Sequence, residues 1–296
     1  MSFIDVKELV RVYRMGAVEV RALRGLNMQV AAGELVSVMG PSGSGKTTLL
    51  NIIGGLDRAT AGEVKVGDAD VTYLNRDELV MYRRRAVGHI FQTLNLVPTL
   101  SAAENIALPM IVNRVPRKAR RERVDELLSI VKLTDRAHHK PDELSGGEQQ
   151  RVAIAAALAN DPPIILADEP TGELDSETSK VIVDFLADIN RQFKKTIILV
   201  THNPIVAAAT KRILRIEDGV IQASYTPAEL ERAGEARAVG FVEQMQQRVK
   251  KLEKELAALD EKFRRGKMTG EDYTEERLRL KAAIRGLEDE IHRHGG

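Results

Sequence analysis

Gly40-Pro41-Ser42-Gly43-Ser44-Gly45-Lys46-Thr47-Thr48 is the stretch whose reading decides the fold. Before it runs Glu34-Leu35-Val36-Ser37-Val38-Met39, apolar and of buried-strand length. After it, Thr48-Leu49-Leu50-Asn51-Ile52-Ile53 reads as the first turns of a helix. Gly, four residues, then Gly-Lys-Thr between a strand and a helix is the phosphate-loop pattern. Its glycines let the backbone curl until successive N–H groups point at one anion, and the helix N-terminus adds its positive end. Lys46 can reach terminal phosphates and the Thr47 hydroxyl can ligate Mg²⁺. The stretch predicts a nucleotide site.

At 296 residues the chain is long enough for one large domain, or a domain with an appendage, around a substantial core. A net charge of +1 argues against a globally basic nucleic-acid binder, and the lack of cysteine excludes disulfides and thiol metal sites. Met1-Ser2-Phe3-Ile4-Asp5 has no basic-then-apolar signal layout, and the apolar run Val152–Ala159 is far shorter than a membrane span. These features predict a soluble chain that can still dock on a membrane protein.

Working outward, Ile4–Tyr13 and Val20–Val30 read as strands joined by a turn at Met15-Gly16-Ala17. Tyr13 admits two readings, an edge-strand aromatic or a flat surface for adenine. Gly62–Val66 and Val71–Tyr73 suggest a short hairpin, Asp77–Arg85 a helix, and Val87–Phe91 a strand ending at Gln92. Thr93–Lys140 turns helical, with Ala102–Val112 and Pro116–Val131 punctuated by Pro109 and Pro116. The basic run Arg114–Arg123 is either a solvated helix face or a surface for an anionic partner or lipid headgroups.

Leu144-Ser145-Gly146-Gly147-Glu148-Gln149-Gln150-Arg151 leads into the helical stretch Val152–Asn160, and Ser-Gly-Gly ahead of a helix is a second potential anion cradle. Ile164–Ala167 is an apolar strand delivering Asp168-Glu169 to its carboxyl end, where ligands of open α/β sheets bind. Two adjacent carboxylates there are costly as core residues, which favours a metal and base role. Thr196–Val200 is another buried strand, ending in Thr201-His202, and Arg212–Ile216 with Val220-Ile221 closes the core.

In this order and spacing the motifs resemble those of the ATP-binding cassette (ABC) ATPases, from about Ser2 to Ala223. Asn51–Asp57, Phe91–Pro98 and Ala167–Asp175 are similar to the lipoprotein-release, macrolide-export and cell-division branch. The resemblance implies an α/β P-loop NTPase fold over 1–225: a RecA-like core, an antiparallel β subdomain and a helical subdomain at about 93–160. It also implies ATP and Mg²⁺ held between two copies of the chain. Gly40, Ser42, Gly43, Ser44, Gly45, Lys46, Thr47 and Thr48 of one copy would then face Ser145, Gly146 and Gly147 of the other. By the same resemblance Thr47 and Gln92 hold Mg²⁺ with Asp168 in its outer shell, and Glu169 polarises the attacking water. His202 contacts the γ-phosphate, Tyr13 stacks on adenine, and Asp175 organises the dimer seam. The expected partner is a membrane permease with a large extracytoplasmic domain, the expected location the cytoplasmic face of the cell membrane. Glu173 stands where this branch often has Asn, and Ala156 where many members have Arg; both lie beside the motifs. The rival class, a soluble ABC ATPase acting on nucleic acid or ribosomes, fits less well. Chromosome-type members insert a very long coiled coil between the ATP motifs, whereas only 51 residues separate Gln92 from Leu144 here, and translation-type members carry two cassettes.

From Thr226 onward the composition shifts: 30 of 71 residues are charged, fifteen of each sign. Val242, Met245, Val249, Leu252, Leu256, Leu259 and Phe263 recur at heptad spacing, and Leu280, Ile284, Leu287 and Ile291 resume it after Arg264–Gly270. This predicts a charged helical hairpin over 226–296, Val242–Phe263 against Glu271–Ile291. It is similar to short C-terminal (SHOCT-type) hairpins. It stands as either a solvated appendage or an element for oligomerisation or docking, and the marginal stability of so small a hairpin alone favours packing on a second copy.

Overall fold

The computed structural model describes residues 2–16, 18–265 and 268–294. The chain divides into two compact units, Met1–Pro227 and Ala228–Gly296.

The first unit opens with β1 (Ser2–Met15) and β2 (Val18–Ala31), paired antiparallel. Buried Val6 and Leu9 are three positions apart, which a regular strand would send to opposite faces. A register shift between them, with Glu8 at φ +47°, turns both inward, and Gly25 at φ +83° does the same for Leu23 and Leu26. After β3 (Leu35–Met39) and α1 (Lys46–Ile53), β4 (Ala61–Val66) and β5 (Ala69–Asp70) complete a four-stranded sheet, β2-β1-β4-β5. β5 begins two residues before the expected Val71. Val66 pairs directly with Ala69 across a two-residue turn, with Gly67 at φ +56°, so the return strand starts at once.

Next come α2 (Arg76–Ala86), capped by Asn75 and Glu78, and β6 (Val87–Ile90). α3 (Ala102–Val112), α4 (Arg117–Ile130) and α5 (Gly146–Leu158) form the helical block. Pro109 does not break α3 but lies inside it; the capping box of Ser101 and Glu104 holds the other end. β7 (Ile164–Asp168), α6 (Ser176–Phe193), β8 (Thr196–Thr201), α7 (Pro204–Ala208), β9 (Arg212–Glu217) and β10 (Val220–Tyr225) follow. The sequence reading assigned no helix over 176–193. Its buried face, Ser179, Ile182, Val183, Leu186 and Ile189, keeps helical spacing but includes a polar residue among a charged background.

The six-stranded sheet runs β10-β9-β3-β8-β7-β6, parallel except for β10. Its central strands are buried on both sides, hence their nearly unbroken apolar runs. Alternate residues feed two cores. Ile198 and Val200 of β8 pack with the antiparallel sheet and α1, whereas Ile197 and Leu199 pack with the helical block and α6. Met39 pairs with Thr201, Asp168 with Val200, and Ile90 with Ala167. The strands therefore end level, and their next residues emerge along one edge.

The second unit consists of α8 (Pro227–Arg264) and α9 (Gly270–His294). Near their junction the Phe263 and Tyr273 rings stack with centroids 4.1 Å apart. Tyr273 donates to Asp260 (2.7 Å), which also accepts from Arg277 Nε (3.2 Å). Thr269 caps α9 by accepting from the Asp272 N–H at 3.2 Å. Val249 and Leu259 are buried, while Leu252, Leu256, Leu280, Ile284 and Leu287 are half-buried. The side chains of Val242, Met245 and Ile291 lie outside the described residues.

β6 carries a titratable group into the core. His89 stacks on Phe91 at 5.3 Å, and a Cβ added at Gly54 would come within 2.3 Å of its ring. Burial pushes its pKa down to about 4, against a smaller opposing effect of the Gly54 backbone and a further lowering by Arg83. The folded pKa lies below the unfolded one, so this contribution is complete above the unfolded value and is lost as pH falls toward the folded one. Between about pH 7.5 and about pH 5 it amounts to about 2 kcal/mol of lost stability. Denaturant unfolding at the two pH values should show that difference shrinking by this amount in His89→Gln; an unchanged pH dependence would show that His89 is not its source.

Candidate nucleotide site

Four segments leave the sheet edge together: Gly40 after β3, Phe91-Gln92 after β6, Glu169 after β7 and His202 after β8. The phosphate loop is shaped by close approach. A Cβ on Gly40 would lie 2.2 Å from the Ile216 carbonyl oxygen, and one on Gly45 (φ +99°) 2.5 Å from that of Ala22. Gly43 (φ +78°) faces open space. Gly45 is the N-cap of α1 and offers no side-chain acceptor, and the first turn carries no acid. Its N–H groups are therefore offered toward the loop.

Lys46 is only 5% exposed and donates to the carbonyls of Gly40 (2.9 Å) and Pro41 (2.8 Å), two of its three N–H bonds. Burial lowers its pKa, while Glu169 and Asp168 pull it back up. Burial raises the pKa of Asp168. The Thr47 hydroxyl lies close enough to oppose that shift, Glu169 adds to it, and Lys46 opposes it. Asp168 Oδ1 and Ser44 Oγ are buried without hydrogen-bond partners. Such orphaned oxygens cost free energy unless a ligand satisfies them, and a carboxylate and hydroxyls beside a lysine suit a hydrated divalent cation on a polyphosphate.

Glu169 sits at φ +45°, a strained backbone for a non-glycine residue. Its N–H donates to Val200 O (2.9 Å) and its carbonyl accepts from Gly172 N (3.0 Å), which holds the conformation. Its carboxylate Oε2 lies 2.6 Å from His202 Nδ1. Lys46, Thr47, Asp168, Glu169 and His202 thus form one cluster.

Gln92 leaves the same edge, where a Cβ added at Gly172 would lie 3.4 Å from the Glu169 carbonyl oxygen and 3.5 Å from Gln92 Nε2; the remaining expected site residues make contacts of their own. Gln92 lines a small cleft with Gly146, Gln149, Glu173 and Leu174. Ser145 caps α5 with Glu148, and Gly147 leaves room for the Thr178 methyl group, 2.7 Å from where its Cβ would stand. Among the described residues no hydrogen bond or ion pair joins the phosphate loop to Ser145-Gly146-Gly147 of the same chain. Asp175 caps α6, accepting from the N–H groups of Glu177 (3.0 Å) and Thr178 (2.9 Å) and from the Thr178 hydroxyl (2.6 Å). The Thr178 hydroxyl is the main cause of its lowered pKa. Tyr13 donates to Asp57 (2.6 Å), and Arg11, paired with Asp57 at 2.7 Å, lies 4.3 Å from the ring centre. Sequence reading did not single out Arg11 and Asp57 as partners of Tyr13, because Asp57 is 44 positions away and no local pattern marks it.

A family model described as "ABC transporter" matches residues 23–172. The chain is 48% identical over 223 residues to the "Uncharacterized ABC transporter ATP-binding protein MJ0796" of Methanocaldococcus jannaschii, covering 74% of this chain and 95% of that protein. It is 45% identical over 224 residues to the "Macrolide export ATP-binding/permease protein MacB" of Syntrophobacter fumaroxidans, covering 75% of this chain but 31% of that longer one. A solved dimer of MJ0796, in a post-hydrolysis state bound to ADP and Pi, aligns with a TM-score of 0.70 and 45% identity, covering 76% of this chain and 98% of that one.

The glycine geometry separates two kinds of substitution. Gly43→Ala should cost about 1–2 kcal/mol, the left-handed backbone penalty alone. Gly40→Ala should cost about 3 kcal/mol or more, because a backbone carbonyl blocks the added carbon. Chemical denaturation of the two variants measures both; equal costs would mean that the approach of Ile216 does not limit the loop.

Proposed function

This chain belongs to the ABC transporter family, and on that footing we propose that it is the ATP-hydrolysing subunit of a membrane transporter or force-transmitting complex, working as a pair of copies. The observation that carries the reading is the cluster of Lys46, Thr47, Asp168, Glu169 and His202 where the parallel strands end level. The phosphate loop cradles the phosphates through the N–H groups of α1, and Lys46 neutralises the β- and γ-oxygens. Thr47 and Gln92 would hold Mg²⁺, with Asp168 in its outer shell; bound there, it supplies charge neutralisation to the phosphate oxygens. Glu169 accepts the proton of the attacking water, and His202 orients the carboxylate and reaches the γ-phosphate.

One chain supplies only half of this chemistry. The α5 start, with two glycines and a capped serine, is a second anion cradle, and among the described residues no hydrogen bond or ion pair ties it to the phosphate loop. In a pair, Ser145-Gly146-Gly147 of the second copy closes over the γ-phosphate, and Asp175 and Tyr13 serve the seam and the adenine. MJ0796, seen as a dimer with ADP and Pi, supports this arrangement.

A cleft of about 530 Å³ between α2, β6, α3 and α5, with exposed Leu108 and Val112 on its wall, suits a cytoplasmic segment of the permease. Among the described residues no helix is long and apolar enough to cross a membrane, and in this reading the subunit is peripheral on the cytoplasmic face. The permease is of the type with a large extracytoplasmic domain.

Glu169→Gln should retain ATP binding, measured with a fluorescent analogue, while steady-state hydrolysis falls by about 100-fold or more. Undiminished turnover would remove Glu169 from its role. Ser145→Arg and Lys46→Ala should each abolish turnover, but mixing the two should restore one intact site and measurable activity. A mixture as inactive as its parents would overturn the trans arrangement.

A further inference from the structure

The second unit leaves an apolar groove along its own two helices. It measures about 760 Å³ and is floored by Leu252, Leu280, Ala283 and Leu287. Two antiparallel helices can lid each seam side chain on one side only, so these leucines remain half-buried although their heptad spacing is that of a fuller bundle. A hairpin of this size is marginal alone. Small residues open the groove further, and a Cβ added at Gly286 would meet nothing within 4 Å.

The charges on the rim indicate the occupant. Arg248, Glu255, Glu276 and Arg279 border the groove, two of each sign. Contacts of Asp260 with Tyr273 and Arg277 set the helices antiparallel, which puts Arg248, beside Leu287, at one end and Glu276 at the other. Glu255 and Arg279 then stand level on opposite rims, and a two-fold axis running along the groove, which sets each α8 over the α9 of the second copy, brings Glu255 onto the Arg279 of that copy. A surface complementary to itself under a two-fold is the requirement for an isologous dimer. The balance of fifteen positive and fifteen negative residues over 226–296 adds no net repulsion.

We propose that this hairpin pairs with the same hairpin of a second copy, closing a four-helix bundle that holds two chains together without nucleotide. ATP-driven closure of the cassettes would then take place within a standing pair, at high effective concentration.

Sedimentation of the nucleotide-free full chain tests this apart from cassette pairing. The unaltered chain should be a dimer at micromolar concentration. Gly286→Arg, which fills open space and replaces a poor helix former, should raise the dissociation constant by about tenfold or more with helicity unchanged. Glu255→Arg should weaken the pair, and Arg279→Glu in the same chain should restore it. A nucleotide-free chain that is monomeric at these concentrations, a Gly286→Arg chain that pairs as tightly as the original, or a charge swap without rescue would overturn the proposal.

Discussion

The structure depends on one register. Met39 lies opposite Thr201, and Asp168 opposite Val200, so three parallel strands stop at the same height. Each is followed by a segment with its own chemistry: a glycine loop, a carboxylate and an imidazole. A slip of one residue would turn every side chain of a strand to the other face and break both cores at once. Ile197 and Leu199 would then exchange places with Ile198 and Val200, whose neighbours differ. Hydrophobic packing on both faces therefore sets, to within a residue, where the ionisable groups emerge.

Those groups are costly where they stand. Lys46 loses basicity to burial and Asp168 loses acidity to it, and each partly offsets the shift of the other. The Thr47 hydroxyl relieves Asp168 as well, and in both groups burial remains the larger effect. Glu169 carries a different cost, a left-handed backbone held by hydrogen bonds at N–H and carbonyl. Strain of this kind persists only where the surroundings over-determine it, and here it aims the carboxylate at His202.

Much of the fold was legible because its signals are local. Level apolar runs marked β3, β7 and β8, and heptads marked the tail, while α5 begins at Gly146, six residues before the expected Val152, because Ser145 and Glu148 cap it there. What escaped is non-local or diluted. α6 hides its face behind a buried Ser179, and β5 begins where a two-residue turn demands and not where the β-formers lie. Tyr13 could be marked as an aromatic at the right place, but its anchoring by Asp57 and Arg11 depends on β1 meeting the segment that follows α1. Asp175 shows the converse: a residue assigned by family pattern to a seam also performs the ordinary work of a helix cap.

The amino-acid order alone determined the chemistry available to this protein: a phosphate loop, adjacent carboxylates at a strand end, a second Ser-Gly-Gly cradle and an amphipathic tail. Each rests on residues within a few positions of one another, where backbone sterics and hydrogen bonding act without help from the rest of the chain. Tertiary structure decided which of these meet. It gathered Lys46, Asp168, Glu169 and His202 at one edge, because the register of a sheet buried on both faces is settled by packing across the whole domain.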